Sequence, residues 1–400
     1  MKKTAQANRL HIGIFGRRNV GKSSFINAFT SQDLAIVSEV PGTTADPVYK
    51  SIEILPKPGP CVIIDTAGLD DVGELGELRK KKALQVLNKT DLAILLLAPE
   101  TGWGDFEEQL LRELRQREIP IVIVVNKIDQ DMVAAEKVAE RAGETGLPVV
   151  EVSAATGEGV LEFRGQINDY APEKIEDLAI TAGVVKAGDL VVMVIPIDDA
   201  MPRGRLILPE VQTLRDLLDR NVSVMVTKEV DLDRTLAALG REPDLVITDS
   251  QVYEYVKEHL PTHIPLTSFS MLFARYKGDL RELVDGVHKL KQLSPTARIL
   301  IGEACTHHAQ KDDIGRVKIP RMLRDKLGDG IIVEQSAGGH FPDDLSSFDL
   351  VIHCGACMIN QKQMHYRINL AREAGVPITN YGIFFAWTNG ILDRALEKLL

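Results

Sequence analysis

The chain has 400 residues, more than one hydrophobic core usually supports, so two or three domains are expected. Its 47 basic and 57 acidic residues leave a net charge of -10, which argues against a nucleic-acid footprint over the whole surface. The longest apolar runs, 92–98 and 119–125, fall far short of the ~20 residues that cross a bilayer, and the start carries no signal-peptide pattern, so a cytoplasmic protein is expected.

Residues 8–170 alternate short apolar runs with helical patterns. Strands are predicted at 10–15, 62–65, 92–98, 121–126 and 149–153, with a helix at 106–117 among the connecting segments. Repeated strand–helix units predict a parallel sheet with helices on both faces. The first strand runs into Gly16-Arg17-Arg18-Asn19-Val20-Gly21-Lys22-Ser23-Ser24, which has phosphate-loop spacing. Its glycines let backbone N–H groups wrap phosphates, and the helix behind adds positive partial charge. Gly16, Asn19, Val20, Gly21, Lys22, Ser23 and Ser24 are therefore the expected phosphate contacts. Lys22 reaches the terminal phosphates and the Ser23 hydroxyl binds magnesium. Taken alone, this stretch could be a plain glycine turn before a helix.

The later motifs decide otherwise. Pro41-Gly42-Thr43-Thr44 follows the first helix, and Thr43 and Thr44 are expected at the nucleotide, Thr44 completing the magnesium shell. Asp65-Thr66-Ala67-Gly68 ends a strand, with Asp65 holding magnesium through water and the Gly68 N–H sensing the γ-phosphate. Lys22, Thr44, Asp65 and Gly68 form the expected catalytic set. Asn126-Lys127-Ile128-Asp129 ends another strand, and Asp129 can accept both donors of the guanine edge. Adenine lacks that donor pair, so a mismatch leaves the carboxylate unpaired. Ser153 and Ala154 follow the last strand and reach the base carbonyl.

This order resembles the translation-factor-related GTPases, in the branch of the tRNA-modification and ribosome-assembly GTPases, over residues 8–170. Leu69 stands where many GTPases carry a water-orienting glutamine, which predicts slow intrinsic hydrolysis. Asn19 matches an asparagine that in this branch often ligates potassium, so the resemblance implies potassium-stimulated hydrolysis. Ala45 departs from the arginine common there. Loops 37–48 and 69–82 are the expected switches.

The texture changes over 169–190, and a linker is placed at 173–182. A second α/β segment carries predicted strands at 190–195, 222–227 and 245–248 and helices at 208–219, 232–239 and 250–259. After a break at 260–265, a third carries strands at 299–302, 331–334, 350–353 and around 378–384.

Three of the four cysteines lie in this last segment, in Cys305-Thr306-His307 and His353-Cys354-Gly355-Ala356-Cys357. Both stretches follow apolar runs. If those runs are parallel strands, both loops leave the same carboxyl edge, where open α/β sheets build sites. In a reducing compartment such a cluster binds metal rather than forming disulfides, and the residue types suit either an iron–sulfur cluster or zinc. Unliganded cysteines packed as small hydrophobes are the plain alternative. Cys61, inside a strand, is expected to be one. The basic run Arg316, Lys318, Arg321, Arg324 and Lys326 reads as a solvated helix face or as an attraction for an anionic precursor.

The paired Cys/His stretches behind a GTPase domain, together with 42–48, 313–321 and 381–387, resemble the FeFe-hydrogenase maturation GTPase family (HydF-type scaffold proteins) over nearly the whole chain. The resemblance implies an α/β protein of three domains: a P-loop GTPase at 1–172, a small dimerisation domain at 183–265 and a cluster-binding domain at 266–400. It implies a 4Fe-4S cluster on Cys305, Cys354 and Cys357. The fourth iron site is left to His307, His353 or Asp312, any of which could instead orient a loop behind the ligands. It further implies GTP or GDP, magnesium and potassium at the nucleotide loop. The cargo is a diiron precursor delivered to apo FeFe-hydrogenase, the partners are two radical-SAM enzymes, and the chain is a homodimer without nucleic-acid or membrane partners. Two rival readings are an RNA-binding ribosome-assembly GTPase with a structural zinc, and a redox sensor in which cluster loss controls GTP turnover.

Overall fold

A computed structural model describes residues 6–31, 47–54, 57–66, 85–172, 179–197, 206–304, 313–338 and 341–400. The chain divides into two compact units, Met1–Ile175 and Glu176–Leu400.

The first unit is built on strands β1 (Leu10–Phe15), β2 (Val48–Ile54), β3 (Gly59–Asp65), β4 (Leu92–Leu97), β5 (Ile121–Val125) and β6 (Val149–Glu151), in the order β2-β3-β1-β4-β5-β6. β1, β3, β4, β5 and β6 run parallel, and β2 is antiparallel to β3. The central strands read as unbroken apolar runs because both their faces are covered. Ile12, Ile14, Ile63, Ile94, Val122 and Val124 pack on one side, and Ile64, Leu95, Ile123 and Val125 on the other. β2 is absent from the sequence-predicted elements. It is an edge strand in which only Ile52 and Ile54 are buried, so its apolar signal is weak.

The second unit holds two four-stranded sheets, each wholly parallel. One has the order β10-β9-β7-β8, from β7 (Leu190–Val194), β8 (Ser223–Thr227), β9 (Leu245–Thr248) and β10 (Leu266–Ser268). The other has the order β12-β11-β13-β14, from β11 (Arg298–Gly302), β12 (Ile332–Ser336), β13 (Leu350–His353) and β14 (Ile378–Asn380). One continuous apolar core, including Val192, Ile247, Leu272, Phe273, Ile301 and Ile352, joins the two sheets. β10 extends the first sheet beyond the sequence break at 260–265 and leads into the helix Phe269–Lys277, capped by Ser268.

The strand expected around 378–384 stops at Asn380. The Asn380 side chain accepts a hydrogen bond from Ile383 N at 2.9 Å, and this cap turns the remaining residues into the helix Tyr381–Thr388. Behind β14 lies the helix Leu280–His288. Gly286 permits a close approach there, since a Cβ at that position would stand 1.8 Å from the Ile378 carbonyl oxygen.

Candidate functional site

The turn from β1 into the helix Lys22–Thr30 is shaped by residues that tolerate left-handed backbone. Gly16, Asn19 and Gly21 have φ of 151°, 66° and 88°. A side chain on Gly16 would meet Leu96 O at 2.4 Å, and one on Gly21 would meet Asn126 Nδ2 at 2.5 Å. Lys22 Nζ donates to the carbonyls of Gly16 (2.8 Å) and Arg17 (2.7 Å), so the ammonium lies within the loop itself. Ser23 and Ser24 occupy the first turn of the helix, at its positive end. Asp65 ends β3 beside β1. Burial raises its pKa, while the nearby Lys22 and Lys50 ammonium groups pull it back down. A carboxylate, a hydroxyl and an ammonium at one strand edge match the donor set for a magnesium-bound phosphate chain.

A second anchor of the loop is not evident from its own residues. Arg17 Nε and Nη2 bind the two carboxylate oxygens of Glu107 at 2.8 and 2.5 Å, and Glu107 is buried. The same carboxylate accepts from Gly104 N at 2.9 Å, which holds the start of the helix Asp105–Gln116 against the phosphate loop. Nothing local in the sequence signals this pairing.

The structure brings the Asn126–Asp129 motif and the Ser153–Ala154 pair together. Asn126, buried at the end of β5, donates to Val20 O and accepts from Ala154 N, each at 2.9 Å. It ties the phosphate loop to the loop after β6. Ser153 Oγ donates to Asp129 Oδ1 at 2.5 Å and accepts from Thr156 N at 3.1 Å, so the exposed Asp129 carboxylate is oriented by its neighbour. Lys127 has φ of 63° and pairs with Glu100. Thr43, Thr44 and Gly68 lie outside the described residues, as do the switch segments around them.

In the second unit, Gly302 of β11 stands opposite His353 of β13 in parallel register. The two segments that precede the Cys/His loops therefore end at one carboxyl edge. Cys354 N donates to Gly302 O at 2.8 Å, and Ala304 N donates to Cys354 Sγ at 3.1 Å. Burial raises the pKa of the Cys357 thiol, and Lys277 and the backbone N–H groups of Cys357 and Met358 pull it down. Among the described residues, no three His, Cys, Asp or Glu side chains form a metal-binding group. Cys305, His307 and Asp312 lie outside them.

His353 is 0% exposed. Arg367 Nη1 donates to its Nε2 at 2.8 Å. A guanidinium has no acceptor, so Nε2 carries the lone pair and Nδ1 the hydrogen, which is donated to Cys354 O at 2.8 Å. Burial first, and the Arg367 charge second, push the His353 pKa down to about 3. Both ring nitrogens are engaged, which suits a group that orients the loop behind the thiols.

Two buried cations flank this loop. Arg367, 1% exposed, also donates from Nη2 to Gly338 O at 2.8 Å and stacks 4.7 Å from the centre of the Phe341 ring. Lys277, also 1% exposed, ends the helix Phe269–Lys277, and its pKa is drawn down by burial to about 8. Backbone N–H donated to sulfur, together with positive charge on two sides, suits a thiolate-bound anionic group, so the residues present fit an iron–sulfur cluster. Cys61 is buried in β3 with its thiol pushed up to about 12, the packing role expected of it.

These features define a guanine-nucleotide P-loop unit joined to an α/β unit with a thiol-bearing sheet edge. The profile for the 50S ribosome-binding GTPase family matches residues 11–127. The profiles for the hydrogen maturase F dimerization and tetramerization domains match residues 180–278 and 281–398. The chain belongs to the HydF-type family of hydrogenase-maturation GTPases. Among characterised relatives, the tRNA modification GTPase MnmE of Moorella thermoacetica is 35% identical over 168 residues, 40% of this chain and 34% of that protein. GTPase Der of Campylobacter jejuni is 30% identical over 167 residues, 40% of this chain and 36% of that protein. The chain thus spans about a third of the length of these relatives. Era of Aquifex aeolicus, solved with GDP and aluminium fluoride, aligns with a TM-score of 0.38 and 20% identity over 62% of this chain and 97% of that one. No helix among the described residues is long and apolar enough to cross a membrane.

Proposed function

We propose that this GTPase is the scaffold of a cofactor-assembly system. It holds a 4Fe-4S cluster through Cys305, Cys354 and Cys357 and carries a diiron precursor to apo FeFe-hydrogenase, working as a homodimer with two radical-SAM enzymes in the cytoplasm. The observation that carries this reading is the thiol edge of the second sheet. Cys354 accepts a backbone hydrogen bond from Ala304, the residue before Cys305, and two buried cations lie alongside. Thiolate-bound zinc and a thiolate-bound cluster are both anionic, so the cations suit either, and the cluster is preferred on the family to which the chain belongs.

At the nucleotide loop, Lys22 and the backbone N–H groups of residues 16–24 bind the phosphates, Ser23 and Thr44 bind magnesium, and Asp129 selects guanine. Leu69 offers no hydrogen bond to water, so hydrolysis is slow. Asn19, exposed at φ 66°, is the proposed potassium ligand, and turnover is expected to be faster in potassium chloride than in sodium chloride. Equal rates would remove that role. The switch segments order around the γ-phosphate and bias partner docking. Identical partner affinity with GDP and with a non-hydrolysable GTP analogue would count against it.

The deciding experiment is anaerobic reconstitution with iron and sulfide, followed by iron, sulfide and zinc assays and EPR of the reduced protein. Iron and sulfide in cluster amounts, lost in Cys354→Ser, support the scaffold. Bound zinc without sulfide overturns it.

A further inference from the structure

Lys277 Nζ lies within hydrogen-bond distance of three carbonyl oxygens of the cysteine loop: Ala356 (3.1 Å), Cys357 (3.3 Å) and Ile359 (2.7 Å). An ammonium has three N–H donors and a neutral amine only two, so three acceptors are matched by the charged form. Four carbons of the side chain are buried with it, and the Phe273 ring centre is 5.4 Å from the nitrogen. Neither Lys277 nor the second buried cation, Arg367, forms an ion pair with a carboxylate among the described residues. The acidic groups that act on them are the thiols of Cys354 and Cys357 for Lys277, and of Cys354 for Arg367.

A buried charge without a carboxylate counter-charge is costly, and carbonyl acceptors can be served by a neutral donor without that cost. Stability alone therefore does not account for a lysine here. Its place in the chain points the same way. Lys277 belongs to the segment matched by the dimerization domain, whereas the cysteines belong to the tetramerization segment. One domain thus supplies the charge and the other the thiols.

We propose that Lys277 is a positioning and charge-compensating residue for the metal cluster, holding the Ala356–Ile359 turn through its carbonyls and setting the cluster's reduction potential through its positive charge. This rests on the reading of the cysteine edge as an iron–sulfur site. A one-electron reduction adds negative charge beside the ammonium, so the ammonium favours the reduced form and raises the potential.

The test uses the full chain, reconstituted anaerobically, with Lys277→Met and Lys277→Gln beside the unsubstituted protein. EPR-monitored titration with redox mediators gives the midpoint potential, iron and sulfide assays give loading, and urea unfolding of the metal-free chains gives stability. Glutamine keeps hydrogen-bond donors without charge, and methionine keeps only volume. Both variants are expected to be harder to reduce, by at least a tenfold drop in the reduced-to-oxidised ratio at fixed potential, about 59 mV for one electron. Metal-free Lys277→Met is expected to lose stability because it leaves the three carbonyls unpaired, and Lys277→Gln to lose less, so the potential of the loaded Lys277→Gln reads the charge apart from the fold. An unmoved potential in both loaded variants overturns this inference and leaves the iron–sulfur site standing. Failure of Lys277→Gln to load cluster, with metal-free stability also lost, assigns Lys277 to the fold alone and overturns it too. An unsubstituted chain that takes up no sulfide overturns the site reading and this inference together.

Discussion

Asp129 and His353 show what one residue can and cannot disclose by itself. Asp129 was singled out from a contiguous string at a strand end, and the structure adds the Ser153 hydroxyl that orients its carboxylate; its proposed role is to select guanine. Exchanging its carboxylate for an amide replaces an acceptor with a donor opposite the guanine N–H groups. Asp129→Asn should weaken GDP binding by at least about a hundredfold, since a mismatch here leaves buried polar groups unpaired. Calorimetric titration with GDP checks this, and unchanged affinity would remove Asp129 from base recognition. His353 was legible as a motif histidine, but not its engagement. Its partner Arg367 lies on the helix Gln361–Glu373, and only packing brings the two together. Because its pKa falls to about 3 on folding, the unfolded chain takes up the proton first as pH drops. The stability that neutral His353 contributes is fully present above about 6.5 and is lost between there and about 3. Urea unfolding of the metal-free protein over that range should show stability declining with acid, and less steeply in His353→Gln. Parallel slopes for the two proteins would contradict the assignment.

Among the elements, central strands were read well and the edges poorly, and burial explains the difference. β1, β4 and β5 are apolar along their whole length because helices cover both faces. β2 buries two side chains and passed unnoticed. The end of β14 was misplaced because residues 378–384 stay buried across the strand-to-helix change, and the Asn380 cap alone marks it. Lys277 and Arg367 were missed for a related reason. Each acts on carbonyls or a ring far away in sequence, so neither has a local pattern. Among the described glycines, the tightest approach is at Gly286, where the helix Leu280–His288 meets the Ile378 backbone. Since the obstruction is backbone, no rotamer change can relieve it. Gly286→Ala should destabilise the second unit by about 1–3 kcal/mol or more, measured by urea or thermal unfolding. A change below the error of that measurement would show that the helix can move away freely.

At the scale of the whole molecule, the domain types imply more than one chain. Dimerization and tetramerization profiles cover most of the second unit. β8, an edge strand, exposes Met225 and Val226, and β12, the edge of the other sheet, exposes Ile332. Open apolar edges of this kind are normally covered by pairing. Light scattering at micromolar concentration should give a mass that is a multiple of 44.1 kDa, and Val226→Lys should lower it. A monomer throughout the concentration range would contradict this.

The parallel register of Gly302 with His353 also bears on how the protein is made. At about 5–20 residues per second, the ribosome delivers the β13 edge several seconds after the β11 edge. During that interval β12 can pair with β11, but the edge at His353 is still missing, so the thiol edge is incomplete on the nascent chain. If this edge holds metal as proposed, insertion waits until β13 has joined the sheet. On that proposal, cells that limit iron or admit oxygen during synthesis should yield folded chains with fewer free thiols, a loss decided while the chain is still being made.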